Sequence, residues 1–397
     1  MLTTLAINNY RSVRDLVMPL TRLNLITGAN GSGKSNLYKA LRLLASTARE
    51  GIIAPLVHEG GLTSLMWAGT DDRSGRVRRG EVPAYGRTRG GPAPRLRLGF
   101  GSESFGYAVC MGIVAPPGNA THQRASSFQL DPEFKRETIW AGPYLRPASV
   151  LIEREGNVVR RRNQGDWELV TEHLPRYESL FSQVGRDAQS PEVFAVREAM
   201  RGWRFYDHFR VDSASPIRQP QVGTRTLILH HDGHDLAAAW QTIREIGDVQ
   251  ALDEAVSDAF PGASVDIATQ AGGFFSLQFF QEGLLRPLTA AELSDGTLRY
   301  LLLCAALLTP RPPELMILNE PESSLHADLT PALGRLIRQA ARHTQIWVIS
   351  HSTRLAAALD DESECNTIVL DKVTSETTIL GQRVLERPAW HWPDGGK

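Results

Sequence analysis

The stretch Gly28-Ala29-Asn30-Gly31-Ser32-Gly33-Lys34-Ser35 matches the phosphate-loop pattern G-x-x-x-x-G-K-[ST] at every fixed position. The apolar segment 21–27 predicts a strand before it, and the residues from Asn36 onward predict a helix. That helix would place four apolar residues on one face: Leu37, Ala40, Leu41 and Leu44. Glycines let backbone N–H groups converge on phosphates, and a helix N-terminus adds a positive partial charge. The sequence therefore predicts a site for a nucleoside triphosphate.

Three side chains near this stretch are candidates for direct roles. Lys34 is long enough to reach the β- and γ-phosphates, and Ser35 can ligate Mg²⁺. Arg11 follows a predicted strand at residues 2–7 and precedes the loop, so a contact with the nucleotide is one interpretation. An ordinary surface arginine is the other.

Length and composition restrict the class of protein. The chain has 397 residues, 42% of them hydrophobic, which is enough for a large core and for more than one lobe. Its net charge of −1 excludes a global attraction for polyanions, so any contact with nucleic acid requires a local patch. Cys110, Cys304 and Cys365 form no ligand spacing and suit a reducing cytosol. We expect no membrane segment, because the longest apolar run, residues 300–308, is too short.

The middle of the chain changes character. Residues 71–97 are rich in Arg, Gly and Pro, which indicates a surface loop. Phosphate-backbone contact with DNA or RNA is one interpretation. A solvated linker is favoured, because only Tyr85 interleaves the arginines. From residue 95 onward, short alternating segments predict an antiparallel sheet, with the arginines of residues 160–162 on a solvated edge strand.

A histidine-rich segment, residues 230–235, offers ligand atoms of the kind that bind Zn²⁺ or Mn²⁺. Turn chemistry is the favoured interpretation, because Asp232-Gly233 is a turn pair. Asp235 would then cap a helix that starts at Leu236.

The C-terminal third carries more acidic and polar groups at the ends of predicted elements. Ser294 and Gly296 open an apolar helix, which can meet an anion or be an ordinary helix cap. Asn319 and Glu320 follow an apolar strand at residues 314–318, where Glu320 can deprotonate an attacking water. His351 follows a second buried strand. A Ser/His hydrolase at residues 351–352 lacks the G-x-S-x-G elbow.

Together the motifs Tyr10-Arg11-Ser12, GANGSGKSN, LSDGT, ILNEPESSLH and VISH resemble the ABC-type ATPases of the SMC, RecF and OLD-nuclease kind. Within that group the chain looks like the compact bacterial predicted ATPases of the AAA family. The resemblance covers residues 1–68 and 201–380. It implies an α/β P-loop NTPase head of the ABC type, with a mixed or parallel core sheet, an antiparallel β subdomain and a small helical insertion.

The resemblance also implies roles for individual residues. The phosphates would be held by Asn30, Gly31, Ser32, Gly33, Lys34, Ser35 and Asn36. Glu320 would be the general base and His351 the switch histidine. The signature, formed by Ser294, Gly296 and Thr297, would contact the γ-phosphate bound to a second copy of the chain. ATP and Mg²⁺ are the implied ligands, and an ATP-sandwiched homodimer is the implied assembly.

The chain departs from the family pattern at two positions. Asn319 replaces the usual aspartate; its carbonyl oxygen can still ligate Mg²⁺ beside Ser35, with one negative charge fewer, so we expect slow turnover. Asp295 replaces the first signature glycine, and we expect it to act as a helix-cap acceptor. No segment is matched to the glutamine loop that this group uses to sense Mg²⁺.

These expectations divide the chain into four parts. Residues 1–70 and 286–397 would form the ATPase head, residues 71–190 the arginine-rich loop and β subdomain, and residues 191–285 a helical insertion. No long coiled coil is expected, and too few residues follow His351 for the metal-binding domain of an OLD nuclease.

Three functions follow from these expectations. The first is an ATP-switched dimeric ATPase in DNA repair, genome maintenance or anti-phage defence, acting on DNA or with an effector protein. The second is a nucleotide-dependent interaction module with little hydrolysis, which Asn319 keeps open. The third is the ATP-binding subunit of a transporter, which the long separation between Lys34 and Ser294 disfavours.

Overall fold

The computed structural model describes residues 1–49, 51–67, 95–113, 131–184, 190–360, 365–383 and 386–394. These residues belong to two compact units. The first unit draws on Met1–Leu20, Gly28–Arg201 and Val369–Lys397. The second draws on Thr21–Thr27 and Gly202–Ile368. None of the helices in the described part of the chain has the length and apolar character that crossing a bilayer requires.

Helices and strands alternate irregularly along the chain. The helices are α1 (Lys34–Ser46), α2 (Ile53–His58), α3 (Leu62–Leu65), α4 (Leu180–Gln183), α5 (Pro191–Gly202), α6 (Leu236–Ile246), α7 (Val249–Ala259), α8 (Asp295–Leu307), α9 (Thr330–Ala341) and α10 (Thr353–Asp360). The strands are β1 (Leu2–Tyr10), β2 (Val13–Pro19), β3 (Leu23–Gly28), β4 (Leu96–Ser102), β5 (Phe105–Ile113), β6 (Pro132–Ala141), β7 (Val150–Glu155), β8 (Val158–Asn163), β9 (Asp166–Thr171), β10 (Arg204–Tyr206), β11 (Gln221–Val222), β12 (Ala263–Gln270), β13 (Phe274–Gln281), β14 (Leu288–Thr289), β15 (Leu315–Asn319), β16 (Gln345–Ile349), β17 (Cys365–Val373) and β18 (Glu376–Ile379).

The first unit is built on an antiparallel sheet. Its described strands run in the order β2-β1-β4-β5-β6-β7-β8-β9. A cluster around Trp140 packs on one face, where the ring of Trp390 meets Trp140 edge-on at 5.7 Å between centroids. Arg154 and Glu137 are fully buried in this sheet and pair at 2.7 Å. The antiparallel sheet expected from residue 95 onward is confirmed.

The expectation that residues 160–162 lie on an edge strand is wrong. These arginines belong to β8, which pairs with β7 on one side and with β9 on the other. Strand β9 is exposed along most of its length, so it lacks the alternation of apolar and polar residues that marks a half-buried strand. The sequence pattern therefore does not reveal β9, the strand that follows β8 at this end of the described sheet.

The second unit contains a parallel sheet. Strands β10, β15, β16 and β3 are parallel neighbours in that order. Their register pairs Asn319 with Ile349 and Ile349 with Ile26, so β15, β16 and β3 end at the same edge. Buried strands with helices on both faces read as continuous apolar runs, as β15 and β16 do. The expected strands at residues 21–27, 314–318 and 345–350 are confirmed.

A large core fills the second unit. Helix α8 is buried along most of its length, which explains its nearly uniform apolar sequence. Helix α6 starts at Leu236 as expected and buries Trp240 and Ile243, whereas Ile246 at its last position is 48% exposed. A smaller antiparallel sheet, in which β13 lies between β11 and β12, completes the unit.

Candidate nucleotide site

The phosphate loop connects β3 with α1 in a conformation that needs glycine. Gly28, Gly31 and Gly33 have φ values of 143°, 82° and 110°, a region that residues with side chains rarely adopt. A methyl group on Gly33 would overlap the Thr377 hydroxyl, and one on Gly28 would overlap the backbone of Leu370. Helix α1 begins at Lys34 and buries Leu37, Ala40, Leu41 and Leu44, as the sequence predicts.

Lys34 and Ser35 start helix α1 in different environments. The side chain of Lys34 is buried, and its Nζ donates hydrogen bonds to the carbonyl oxygens of Gly28 at 2.5 Å and Ala29 at 3.1 Å. Ser35 is exposed in the first turn. The first residues of the loop therefore hold the lysine ammonium against their carbonyl oxygens.

A chain of hydroxyl groups supports the phosphate loop from the C-terminal hairpin. Asn36 donates to the Ser12 hydroxyl at 2.7 Å, and Ser12 lies 2.7 Å from the Thr377 hydroxyl. Thr377, which is fully buried on β18, donates to the carbonyl oxygen of Ser32 at 2.8 Å. Because each hydroxyl both donates and accepts, the chain runs in one direction from Asn36 to the loop. Sequence analysis missed Thr377, since nothing in its local sequence forms a motif.

Arg11 has a carboxylate partner inside the fold. It pairs with Glu59, which also pairs with Lys39 at 3.1 Å. Its guanidinium lies 5.9 Å from the centre of the Tyr10 ring. The contact between Arg11 and a nucleotide stays a prediction, and in this structure the arginine is engaged in a half-buried ion pair.

Glu320 follows β15 in a strained backbone conformation. Its φ of 49° lies in the left-handed region, although it is not a glycine. The Glu320 N–H donates to the carbonyl oxygen of Ile349 at 2.8 Å. The Glu320 carbonyl oxygen accepts from the Ser323 N–H at 3.0 Å and from Arg299 at 3.1 Å. The carboxylate itself is about half exposed, which leaves it open to a water molecule.

His351 lies beside two carboxylates at the end of β16. Its Nδ1 is 3.6 Å from an oxygen of Glu320 and 3.9 Å from an oxygen of Glu322. Glu322 is nearly buried and accepts a hydrogen bond of 2.5 Å from the Ser350 hydroxyl. The structure therefore brings the predicted residues Glu320 and His351 together. It adds Glu322 and Ser350, which sequence analysis left without a role.

The predicted signature forms the N-terminus of α8. Ser294 is the capping residue, and its hydroxyl accepts from the Thr297 N–H at 3.1 Å. The expectation that Asp295 caps this helix is wrong, because its carboxylate pairs with Arg218 at 2.5 Å. A methyl group on Gly296 would lie 2.8 Å from the Ser324 carbonyl oxygen, so a side chain does not fit there.

The histidine-rich segment forms a hydrogen-bonded turn. His230 and His234 approach the same oxygen of Asp232, at 2.7 and 2.6 Å. Burial opposes ionisation of Asp232, but hydrogen bonds from both histidines hold its pKa well below the ordinary value. Asp235 occupies the N-cap position of α6 as expected, but its side chain makes no cap bond to the helix and instead accepts from the His230 N–H at 3.0 Å. The side chains of His230, Asp232 and His234 place their ligand atoms within 4.8 Å of one another.

Most of the arginine-rich segment, residues 71–94, lies outside the described residues, so its interpretation stays a prediction. The two arginines at its end are described. Arg95 and Arg97 pair with Asp394 at 3.3 and 3.0 Å. These two side chains are therefore engaged within the first unit.

The chain aligns with known structures of SMC head domains. "Crystal structure of the SmcHead bound to the C-winged helix domain of ScpA" aligns over 97% of this chain and 99% of its own, with a TM-score of 0.52 and 14% identity. An SMC head domain from Thermotoga maritima aligns over 96% of this chain and 99% of its own, with a TM-score of 0.47 and 15% identity. An Smc head from Pyrococcus furiosus, bound to the C-terminal domain of ScpA, aligns over 96% and 95%, with a TM-score of 0.49 and 13% identity. The first of these shows that the fold is that of an SMC-like P-loop NTPase head.

Comparison with family models gives the class and then the family. A model described as "AAA ATPase domain" matches residues 1–63, which include the phosphate loop. A second model, described as "AAA domain, putative AbiEii toxin, Type IV TA system", matches residues 154–357, slightly more than half of the 397 residues. The family and the fold support an ATP-binding ATPase. The chain belongs to this AAA-domain family. The comparison with curated proteins gave no match.

Proposed function

We propose that the protein binds and hydrolyses ATP, and that ATP binding joins two copies of the chain. One observation carries the catalytic part of this proposal. Glu320 leaves the end of a parallel strand with its carboxylate open to water and the imidazole of His351 3.6 Å away. This is the arrangement that a general base with a polar partner needs.

In the proposed reaction, the phosphate loop binds ATP and the loop after β15 supplies the general base. The N–H groups of residues 30–36 and the ammonium of Lys34 hold the phosphates, as a glycine-rich loop before a helix can. Glu320 accepts a proton from water while the water oxygen bonds to the γ-phosphorus and the bond to the β-phosphate oxygen breaks. ADP leaves with that electron pair, and His351 hydrogen-bonds the transferred group. General base catalysis of this kind contributes about 10²–10⁴-fold.

Two residues of the chain fit Mg²⁺ through the chemistry of their donor atoms. Ser35 offers an exposed hydroxyl in the first turn of α1, and Asn319 offers an amide oxygen at the last position of β15. Mg²⁺ takes such hard oxygen ligands, and when bound it neutralises charge on the phosphates. Because Asn319 is uncharged, we expect weak metal binding and slow turnover.

The signature at Ser294, Gly296 and Thr297 would contact the ATP of a second copy. Its support is the N-terminus of α8, where Ser294 and Asp295 are exposed. The pairing of Asp295 with Arg218 also neutralises a carboxylate that would repel a phosphate. Two copies related by a two-fold axis would each contribute one signature, which closes the assembly as a dimer.

For the pathway we propose an ATP-driven switch in anti-phage defence, acting with an effector protein. The support is the family description, which names a type IV TA system. DNA repair or genome maintenance with DNA as the partner is the other form of the proposal. A module that binds ATP with little hydrolysis is the alternative function, and Asn319 in place of an acidic residue favours it.

The test is phosphate release by the wild-type protein and by Glu320→Gln. Glu320→Gln should lose about 10²-fold or more of the rate. Glu314→Gln, an exposed carboxylate just before β15, is the matched control and should keep the wild-type rate. A wild-type protein that binds ATP without releasing phosphate supports the interaction module, and stimulation by DNA supports genome maintenance.

The same variant tests the assembly. Glu320→Gln with saturating ATP should accumulate as a dimer in light scattering, because hydrolysis no longer separates the copies. Adding Ser294→Arg, which places a bulky group at the signature, should restore the monomer. A protein that stays monomeric with ATP contradicts the proposed contact between two copies.

A further inference from the structure

Helix α8 carries a buried arginine close to the predicted signature. Arg299 is 6% exposed, although arginine is rarely buried in proteins. Its Nη2 donates to the carbonyl oxygen of Glu320 at 3.1 Å. Its Nε is buried and has no hydrogen-bond partner in the described part of the chain. The helix that begins at Ser294 therefore contacts the backbone of the proposed general base directly.

The backbone of Glu320 needs such support. Its positive φ is sparsely populated by residues with a side chain and persists only where neighbouring groups enforce it. Two of the enforcing hydrogen bonds are backbone bonds, to Ile349 and Ser323, which any sequence in this loop could make. Arg299 makes the third and is the only side chain among the three donors and acceptors described at this backbone.

The charge of Arg299 is balanced by nearby carboxylates. Burial lowers the pKa of Arg299, because it disfavours the charged form. Three carboxylates oppose this effect: Glu322, Glu320 and Asp207. Arginine still keeps its proton under ordinary conditions, so its hydrogen bond to the Glu320 carbonyl oxygen is a charge-assisted one. A neutral side chain of similar length would give a weaker bond.

We propose that Arg299 is a positioning residue that fixes the backbone of Glu320 and so aims its carboxylate at the attacking water. This inference rests on the proposed ATPase function. Because Arg299 lies in the first turns of α8, an anion that orders residues 294–297 would also order the arginine. The proposed signature of one copy is thereby linked to the general base of that same copy.

A structural role alone predicts a different result. If Arg299 only filled space in the core, its replacement would lower the free energy of unfolding without a selective effect on hydrolysis. A positioning role acts on the chemical step, because ATP is held elsewhere, by residues 28–36. Two measurements distinguish the two roles. The first compares the change in kcat with the change in KM, and the second asks whether the substitution still lowers the rate when Glu320 is also replaced.

The experiment compares Arg299→Gln, Arg299→Lys and the control Arg225→Gln. Arg225 is exposed and pairs with Glu245 on the surface of the same unit. We expect Arg299→Gln to lower kcat about 10- to 100-fold, the range for a lost hydrogen bond to a charged group. KM for ATP should stay within about threefold, because a change confined to kcat marks an interaction made only in the transition state. Arg299→Lys, which keeps a cationic donor, should recover part of kcat, and Arg225→Gln should match the wild type.

Two further measurements complete the test. In the Glu320→Gln background, Arg299→Gln should cause no further loss, because the base that it positions is absent. If Arg299→Gln fails to fold, Arg299→Lys decides, with an intermediate kcat and an unchanged KM expected. Equal kcat values for the wild type and Arg299→Gln, or a loss that persists in full without Glu320, would overturn the inference alone. A wild-type protein without turnover would overturn the proposed function and this inference with it.

Discussion

Two loops of this protein reach positive φ by opposite means. The phosphate loop, residues 28–35, has glycine at each position of positive φ, and the groups proposed to hold the phosphates are mainly its backbone N–H groups. The loop after β15 places positive φ at Glu320 and Ser324, and the proposed role of Glu320 requires its side chain. A site that binds its ligand through backbone groups can have glycine at its strained positions, whereas a residue that acts through its carboxylate cannot be replaced by glycine. The second loop therefore depends on contacts from other elements to hold its strain.

This difference sets where each loop is vulnerable. In the phosphate loop a substitution within the loop itself is damaging, because overlap and strain both follow from an added methyl group. In the Glu320 loop, a substitution outside the loop, at Arg299 on α8, is expected to disturb the backbone of Glu320. The predictions below separate these two kinds of dependence.

Gly33→Ala is the variant with the largest expected effect. Its methyl group would overlap the Thr377 hydroxyl, and the φ of 110° is strained for alanine. Strain alone costs about 1–3 kcal/mol, and the overlap adds to it, so ATP affinity should fall about 100-fold or more. Binding of a fluorescent ATP analogue measures the loss.

Gly31→Ala is the matched control for that experiment. Gly31 has a φ of 82°, but a methyl group there would meet open space. Its loss of affinity should reflect strain alone and be clearly smaller than that of Gly33→Ala. Equal affinities for the two variants would show that the contact with Thr377 does not shape the loop.

Thr377→Val is expected to have a smaller effect. It keeps the volume of the side chain and removes the hydroxyl that joins Ser12 to the carbonyl oxygen of Ser32. The free energy of unfolding should fall by about 1–3 kcal/mol, because buried partners are left unsatisfied. Urea unfolding measures this loss. We also expect ATP affinity to fall about several-fold, the effect of one neutral hydrogen bond.

Thr377→Ser controls for the loss of the methyl group alone. It keeps the hydroxyl and should stay close to the wild type in ATP affinity. If Thr377→Val binds ATP as tightly as Thr377→Ser, the hydroxyl chain from Asn36 is only a structural feature of the first unit.

The sequence predicts the parts of the fold that depend on local patterns. The phosphate loop, the strands before Asn319 and His351 and the antiparallel sheet all follow from periodicity and motif spacing, and the structure confirms these elements. Local patterns fail where burial is unusual. Strand β9 is missed because both of its faces are exposed, which leaves no apolar alternation to detect.

The supporting contacts of the site are beyond local patterns. Thr377 contacts Ser32 across a sequence separation of 345 residues, and Arg299 contacts Glu320 only because the tertiary fold brings α8 to the loop after β15. Asp295 was expected to cap a helix, but the tertiary fold supplies Arg218 as its partner. Asp235 occupies the expected N-cap position, but its carboxylate accepts from the His230 N–H and makes no cap bond. Capping propensity is a local preference that such contacts override.

The most direct test is to measure ATP affinity for Lys34→Ala and Glu320→Gln side by side. The account assigns ATP binding to the phosphate loop and hydrolysis to the Glu320 loop. It predicts that Lys34→Ala loses ATP binding, while Glu320→Gln binds ATP as the wild type does and releases phosphate about 10²-fold or more slowly. Retained ATP affinity in Lys34→Ala, measured on a folded protein, would contradict the account.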